Sequence, residues 1–261
     1  MKQTIISSTL VALGLGISAI STAHGGTVSA APAAPSTPVE EAASGLWGGI
    51  GLEATVGWDS HYVFRGEPLQ ENTVWAQLSY DIALTDSLSL NITPWFLQDV
   101  DTDYNEFDLG ASLSYAVSDW QFSLGYAGYY YPRKSLGGNE GIGDEQEMTA
   151  SISRAFGDLS ATVLSAYSFT REAFYFEIAV DYGIEVSDAL TVTPGIVLGW
   201  DNDYYAEGTD VNHLALRLAV DYQLNAWCTL SPYIAGNLPL GHLDADYSDD
   251  VYGGVSVTVA F

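Results

Sequence analysis

Charged side chains alternate with apolar ones along several segments of this chain. Glu177 and Asp181 stand at odd-numbered positions, whereas Ile178 and Val180 stand between them at even-numbered ones. Because successive side chains of an extended segment point to opposite faces, the carboxylates share one face and the apolar groups the other. The charged face collected in this way over the whole chain contains Glu53, Arg65, Asp81, Asp108, Glu177, Asp181, Arg217 and Asp221.

Six carboxylates and two arginines on one face would act electrostatically rather than covalently. Carboxylates that line a passage with low-dielectric walls attract cations and repel anions. We therefore expect these eight residues to line a pore that prefers cations. The arginines also have a structural alternative, because small barrels are often filled by their own side chains. Arg65 would then order its loop by pairing with Glu67 instead of meeting acids across the lumen, and Arg217 would neutralise Asp221, Asp181 or Glu177.

Acidic residues also cluster at Asp99, Asp101 and Asp103. Alternating oxygen ligands can bind calcium or magnesium, but Gly110 stands where an EF-hand loop needs its bidentate glutamate. These three aspartates are therefore weak candidates for a metal site, and solvated acidic loops are the alternative. The sequence predicts no cofactor.

Nucleophilic catalysis has little support. Among the histidines, His213 falls on the polar face, but residue 215 is alanine and no serine motif stands beside it. A hydrolase of the serine–histidine type would need such a partner, although partners can also assemble from distant residues. The sequence thus predicts that the protein is not an enzyme.

The elements that carry these residues have a period of two, which indicates β-strands. Five pairs of strands are joined by tight turns of two or three residues, and six longer connections lie between them, at 61–72, 98–104, 131–145, 168–173, 201–212 and 239–249. Short turns on one side and longer loops on the other are typical of transmembrane barrels. The predicted strands are 50–58, 74–84, 88–92, 107–115, 120–126, 148–156, 159–167, 174–184, 190–198, 214–224, 230–238 and 251–261.

This pattern predicts an all-β fold, a transmembrane antiparallel up-and-down barrel of about twelve strands, closed by the last strand ending at Phe261. Tyrosine and tryptophan cluster near both ends of the apolar face, as lipid headgroups favour. Arg154 also falls on that face, near the short-turn rim, where its long side chain can reach polar groups. The alternative is a soluble β-sandwich, whose connections need not sort by length.

The chain divides into three segments by composition. Residues 1–23 resemble a secretory signal peptide, with Lys2 before an apolar stretch and small residues after it. Residues 24–46 are rich in Ala, Pro, Ser and Thr and predict a flexible leader, which leaves 47–261 as one barrel domain. A net charge of −26 with seven Lys plus Arg excludes nucleic-acid binding. The single cysteine, Cys228, excludes an internal disulfide framework.

One short motif resembles a known family. The run Tyr62-Val63-Phe64-Arg65-Gly66 is similar to an element near the mature N-terminus of the TorF-like porins, which are exported bacterial barrels of similar size. The resemblance covers about seven residues closely and the rest of the chain through the barrel layout. It implies an outer-membrane barrel with a pore function.

The sequence therefore predicts a bacterial outer-membrane porin for passive diffusion of small hydrophilic solutes, with both termini periplasmic. Its expected partners are outer-membrane lipid, lipopolysaccharide and the solutes, together with further copies of the chain in a homo-oligomer. A non-conducting structural or adhesive barrel is the main alternative, and an outer-membrane barrel hydrolase the weaker one.

Overall fold

The structure is a computed structural model that describes residues 50–132 and 144–261. The predicted signal peptide, the predicted leader and most of the predicted connection 131–145 lie outside the described residues. Nearly all of the described chain is β-strand. The strands are β1 Leu52–Phe64, β2 Glu67–Ala83, β3 Leu88–Asp99, β4 Asn105–Val117, β5 Trp120–Tyr130, β6 Glu145–Phe156, β7 Leu159–Ser168, β8 Ala173–Tyr182, β9 Ile184–Ser187, β10 Leu190–Asn202, β11 Thr209–Asn225, β12 Cys228–Pro239 and β13 Asp250–Ala260, with one short helix, α1 Gly241–Asp244, before β13.

All strands belong to one antiparallel sheet that closes on itself. Except at β8 and β9, each strand pairs with the next strand in the chain, and β13 pairs with both β12 and β1. Strands β8 and β9 are separated only by Gly183 and both pair with β10, so they share one position in the wall. The wall therefore has twelve positions and no free edge, which confirms the predicted closed barrel.

The two faces of the wall differ as the alternation predicts. On β1, Val56 points outward with 58% of its surface exposed, whereas Asp59 points inward and is 1% exposed. Large apolar side chains cover the outer face of every long strand, among them Leu78, Leu113 and Ile178. An exposed apolar face of this extent is stable only against hydrocarbon, as in transmembrane barrels.

Exposed aromatic side chains flank this apolar band at both ends. Near the short-turn end they are Tyr80, Tyr115, Trp120, Tyr182 and Tyr222, and near the long-loop end Trp58, Phe96, Tyr130 and Phe174. Girdles of aromatic residues at both interfaces are a feature of membrane barrels. The outer wall therefore has the two belts that the sequence indicates.

One predicted connection is wrong. The sequence predicts a long loop at 61–72, but β1 and β2 continue as a paired hairpin to a two-residue turn, Arg65–Gly66. Both turn residues have positive φ, 51° for Arg65 and 86° for Gly66. Positive φ at both central residues is typical of the tight type I′ hairpin turn. The segment contains Arg65, Glu67 and Pro68. Charged residues and proline are common in loops, which is why its composition suggests a loop.

The other long-loop connections are 100–104, 169–172, 203–208 and 240–249, the last containing α1. Within the described ranges, no helix has the length and apolarity needed to cross a membrane.

Candidate functional site: an arginine-centred closure of the lumen

The end of the β1–β2 hairpin, residues 62–66, bends into the lumen at the long-loop end; we call it the tip. The register between β1 and β2 shifts after Tyr62, and the strict alternation of buried and exposed residues is lost there. Tyr62, Phe64 and Arg65 are all buried. The tip therefore leaves the wall and occupies the interior of the barrel.

Hydrogen bonds join the tip to strands that are not its neighbours in the sheet. The carbonyl of Arg65 accepts from the side-chain amide of Asn212 on β11 at 3.2 Å, and that of Gly66 accepts from Asn237 on β12 at 2.8 Å. A Cβ added to Gly66 would lie 2.5 Å from the Cβ of His213 on β11. Only glycine combines the positive φ with this close approach.

Arg65 forms a buried, two-pronged ion pair with Glu147 on β6. Nη1 donates to Oε1 at 2.8 Å and Nη2 donates to Oε2 at 2.7 Å, and the side chains are 3% and 0% exposed. The hydroxyls of Tyr129 and Tyr204 also donate to Glu147, at 3.1 and 2.8 Å. Paired forks of this kind are strong and geometrically specific. The pair holds the tip against the wall on the far side of the lumen.

Aromatic rings surround the Arg65 guanidinium. Its central carbon lies 4.7 Å from the centre of the Phe64 ring, 4.6 Å from that of Tyr175 and 5.1 Å from that of Tyr204. Burial disfavours the charged form of Arg65, but the charge of Glu147 outweighs burial and raises the pKa of Arg65. Burial also raises the pKa of Tyr204, so its hydroxyl stays protonated and can donate. The arginine is therefore a permanent cation at this position.

A second cation supports the same site from the loop 169–172. Arg171 pairs with Glu145 at 2.5 Å, and its guanidinium lies 4.5 Å from the centre of the Tyr204 ring. Burial alone would lower the pKa of Arg171. The neighbouring Tyr204 and Glu145 raise this pKa by more than burial lowers it, so the net shift is upward. Tyr204 is thus held between two arginines.

Beside the ion pair, the lumen is filled by a cluster of buried hydrophobic side chains. Tyr62 lies 5.8 Å from Trp95 between ring centres, and its hydroxyl donates to Glu106 at 3.0 Å. Glu106 also accepts from Tyr104 at 2.7 Å, and Asp108 is buried on the same strand. The cluster consists of Tyr62, Phe64, Trp75, Trp95, Leu97, Ala127 and Tyr129. The tip and this cluster together occupy the described part of the lumen at this level, and we call this arrangement the closure.

The middle of the lumen holds the second predicted arginine. Arg217 donates to Asp181 through Nε at 3.0 Å and through Nη2 at 2.6 Å. The sequence allows Asp221, Asp181 or Glu177 as the ion-pair partner of Arg217, and in the structure the partner is Asp181. Glu177 lies on the same strand and accepts from the hydroxyl of Tyr175 at 3.0 Å.

The remaining predicted residues lie toward the short-turn end and are only half-buried. Glu53 and Asp81 are on neighbouring strands, and Asp81 accepts from Asn91 at 3.0 Å. Asp221 accepts from Ser231 at 2.6 Å. These carboxylates are more exposed than the acids at the tip.

The structure thus separates the eight predicted residues into levels. Arg65, Asp108 and Glu177 lie near the closure, Asp181 and Arg217 in the middle, and the rest below. The closure itself depends on residues outside these eight: Glu147, Tyr204, Arg171, Asn212 and Asn237. Glu147 has the polar parity of β6, but Tyr204 and Arg171 are in loops, where no periodicity could indicate their direction.

A cleft of about 580 Å³ opens at the long-loop end beside the tip. Six of its thirteen lining residues are carboxylates, and one of them, Asp250, lies 2.6 Å from Nδ1 of His61. The acidic lining residues are Glu71, Asp99, Asp101, Asp246, Asp249 and Asp250. This end of the barrel therefore presents a negatively charged cleft to the solvent.

The predicted metal candidates have other partners here. Asp99 Oδ1 accepts from the backbone N–H groups of Asp101 and Thr102, each at 2.7 Å, and Asp101 accepts from Asn72 at 2.8 Å. These bonds use the carboxylates to order the loop. Within residues 50–132 and 144–261, no group of three or more His, Cys, Asp or Glu is arranged to hold a metal ion.

His213 on β11 is buried behind the tip. Its Nδ1 lies 3.1 Å from Oδ1 of Asn212, and its ring stacks on Tyr175 with ring centres 6.4 Å apart. In the described chain, none of its hydrogen bonds goes to a serine. The contacts of His213 are therefore those of a packing residue.

Solved structures share this fold at low sequence identity. An outer membrane channel from Pseudomonas putida F1 is 11% identical, with a TM-score of 0.57 over 80% of this chain and 95% of that one. The KdgM porin is 13% identical, with a TM-score of 0.51 over 80% of this chain and 99% of that one. No protein-family model matches the chain, and no curated protein matches it. The chain therefore has the fold of outer-membrane barrels.

Proposed function

We propose that the protein is a bacterial outer-membrane channel for passive diffusion of small hydrophilic solutes, closed in this conformation by the tip. The short-turn end faces the periplasm, so β1 begins and β13 ends there. The proposal depends mainly on the Arg65–Glu147 pair. This single buried ion pair holds the β1–β2 hairpin across a polar lumen. The fold shared with two outer-membrane channels supports the same function.

The tip suits a gate better than a permanent plug. Arg65 has a positive φ, a conformation that costs a non-glycine residue about 1–2 kcal/mol. Its buried ion pair also carries a desolvation cost, so burying these charges is weak support for stability. Apolar residues could fill the same space at lower cost. A strained and charged closure is therefore expected where the closure must also open.

The channel prefers cations. Six of the eight charged residues predicted for the lumen are acids, and the Asp181–Arg217 and Glu147–Arg65 pairs neutralise both arginines. The net charge of these eight residues is negative, and so is that of the cleft above them. Negative rings in a low-dielectric wall select cations.

The tip contains the motif that resembles the TorF-like porins. Residues 62–66 form the bend, the buried aromatic and the Arg65–Gly66 turn. We propose that this chain is a distant member of that family and that the shared motif encodes the closure.

Planar-bilayer conductance of the purified, refolded protein tests the gate. Glu147→Gln leaves Arg65 buried without its counter-charge, which costs about 3–5 kcal/mol and should expel the tip. We expect rare openings for the unchanged protein and a much higher open fraction for Glu147→Gln. Glu207→Gln, which removes one exposed loop carboxylate, is the matched control and should behave like the unchanged protein.

Two outcomes would contradict the proposal. If neither protein conducts while both are folded, the alternative of a non-conducting structural barrel holds. If both conduct equally, the protein is a channel but the tip does not gate it. The reversal potential in a salt gradient tests selectivity in the same setup, and anion selectivity would overturn the cation preference.

A further inference from the structure

One arginine lies on the outer wall instead of in the lumen. Arg154 is on β6, two residues before its end at Phe156, and it follows the outward parity of Ile152 and Phe156. Its partner across the strand pair is Trp120, the first residue of β5. Arg154 is therefore in the aromatic belt at the short-turn end.

The guanidinium of Arg154 rests on two exposed rings. Its central carbon lies 4.8 Å from the centre of the Trp120 ring and 4.6 Å from that of Phe156. Its Nε is buried and has no hydrogen-bond partner in the described structure. Ring contacts of this kind orient a guanidinium but do not satisfy its N–H groups.

No carboxylate of the described residues forms an ion pair with Arg154. The other three described arginines, Arg65, Arg171 and Arg217, are each paired with an acid. This difference is unexpected in a chain with 33 acids and seven basic residues. The cation on the outer wall is therefore available to an anion from outside the protein.

The depth of Arg154 agrees with such an anion. An arginine on the lipid face costs about 2–4 kcal/mol at the bilayer centre but about 0–1 kcal/mol near the interface. The β6–β7 turn, Gly157–Asp158, begins three residues after Arg154, so the side chain is near the polar boundary. On its other side the partner on β7 is Ala161, which leaves space beside the guanidinium.

We propose that Arg154, with Trp120 and Phe156, binds the phosphodiester group of a glycerophospholipid in the periplasmic leaflet. The planar guanidinium presents paired N–H donors that match two phosphate oxygens. The rings hold the guanidinium in place and contact the glycerol and upper acyl chains. This site rests on the proposed outer-membrane location.

Native mass spectrometry of the full mature chain in a neutral, phosphate-free detergent tests the site. The probe is dipalmitoyl phosphatidylglycerol, compared with dipalmitoylglycerol, which has the same chains without the phosphate. We expect one phosphatidylglycerol to be retained, no dipalmitoylglycerol, and about tenfold less phosphatidylglycerol for Arg154→Gln. Lys134→Gln removes an equal charge elsewhere in the chain and should retain the lipid.

Several results would overturn the site. Equal retention by Arg154→Gln and the unchanged protein would show that the lipid binds elsewhere, and retention of dipalmitoylglycerol would show that the phosphate is not recognised. Displacement of the lipid by an equal concentration of inorganic phosphate would show a general anion site. Arg154→Lys keeps the charge but not the fork, so it should bind less than the unchanged protein and more than Arg154→Gln.

The site and the channel can fail separately. Lipid retention is measured in detergent and needs no conductance. A barrel that keeps the lipid but never conducts would contradict the channel alone, whereas a conducting barrel that does not retain the lipid would contradict the site alone.

Discussion

Asp181 on β8 and Arg217 on β11 bond to each other across Gly195, which lies between them on β10. The register aligns the three residues, and Nη2 of Arg217 lies 2.6 Å from both carboxylate oxygens of Asp181. A Cβ at Gly195 would lie 2.1 Å from Oδ1 of Asp181 and 2.6 Å from Nε of Arg217. Because Gly195 has no side chain, an ion pair can form across it between β8 and β11, which are not hydrogen-bonded to each other in the sheet.

Gly195→Ala should accordingly separate this pair. Overpacking in a close-packed interior costs about 1–3 kcal/mol, and separated buried charges add to that cost. We expect a lower free energy of unfolding in denaturant titrations of the protein in lipid vesicles. Gly110→Ala is the control, because its Cβ would lie 3.6 Å from the carbonyl oxygen of Thr93, an ordinary contact. Equal stability of the two variants would show that the pair is not constrained by Gly195.

A side chain at Gly66 should disturb the tip, as one at Gly195 should disturb the Asp181–Arg217 pair. Gly66→Ala combines a positive φ with a clash against His213, and we expect it to undock the tip and raise the open fraction in planar bilayers. Gly157→Ala has a similar φ of 66° but no atom within 4 Å of the added Cβ. The control thus carries only the backbone cost of about 1–2 kcal/mol. An unchanged open fraction in Gly66→Ala would contradict the proposed role of the tip.

The barrel wall could be predicted from the sequence because its cause is local. Each outward residue meets hydrocarbon and each inward one meets polar groups, so hydrophobicity reports direction directly at residues such as Val56 and Asp59. The closing pair of β1 and β13 followed from the same alternation. Strand ends were less certain, because β1 and β2 continue beyond the apolar band, where that signal stops.

The closure could not be predicted, because it depends on contacts between distant residues. Arg65 pairs with Glu147, which is 82 positions away, and both are held by Tyr204 from a third segment. Alternation gave the inward direction of Arg65 and Glu147 but not the bend after Tyr62 that brings them together. The pairing of Arg217 with Asp181 likewise depends on strand register, which alternation alone does not determine.

The acids at the short-turn end should contribute to selectivity. Glu53 and Asp81 face the lumen and are half-buried, so their field acts on permeating ions. We expect the double variant Glu53→Gln/Asp81→Asn to lower the cation-to-anion permeability ratio from reversal potentials in a salt gradient. The charge-matched control Asp86→Asn/Asp188→Asn neutralises exposed turn residues at the same end. If both variants shift the ratio equally, surface charge and not the lumen determines selectivity.

Leu113 on β4 tests whether the outer wall meets lipid. It faces outward near the middle of its strand, between Leu90 on β3 and Leu124 on β5. Against hydrocarbon, Leu113→Arg should cost about 2–4 kcal/mol. Leu113→Ala is the control for lost apolar surface and should cost less. Both are measured as free energies of unfolding in lipid vesicles. An arginine that costs no more than the alanine would mean that this face meets water or polar protein, and the membrane-spanning interpretation of the wall would be wrong.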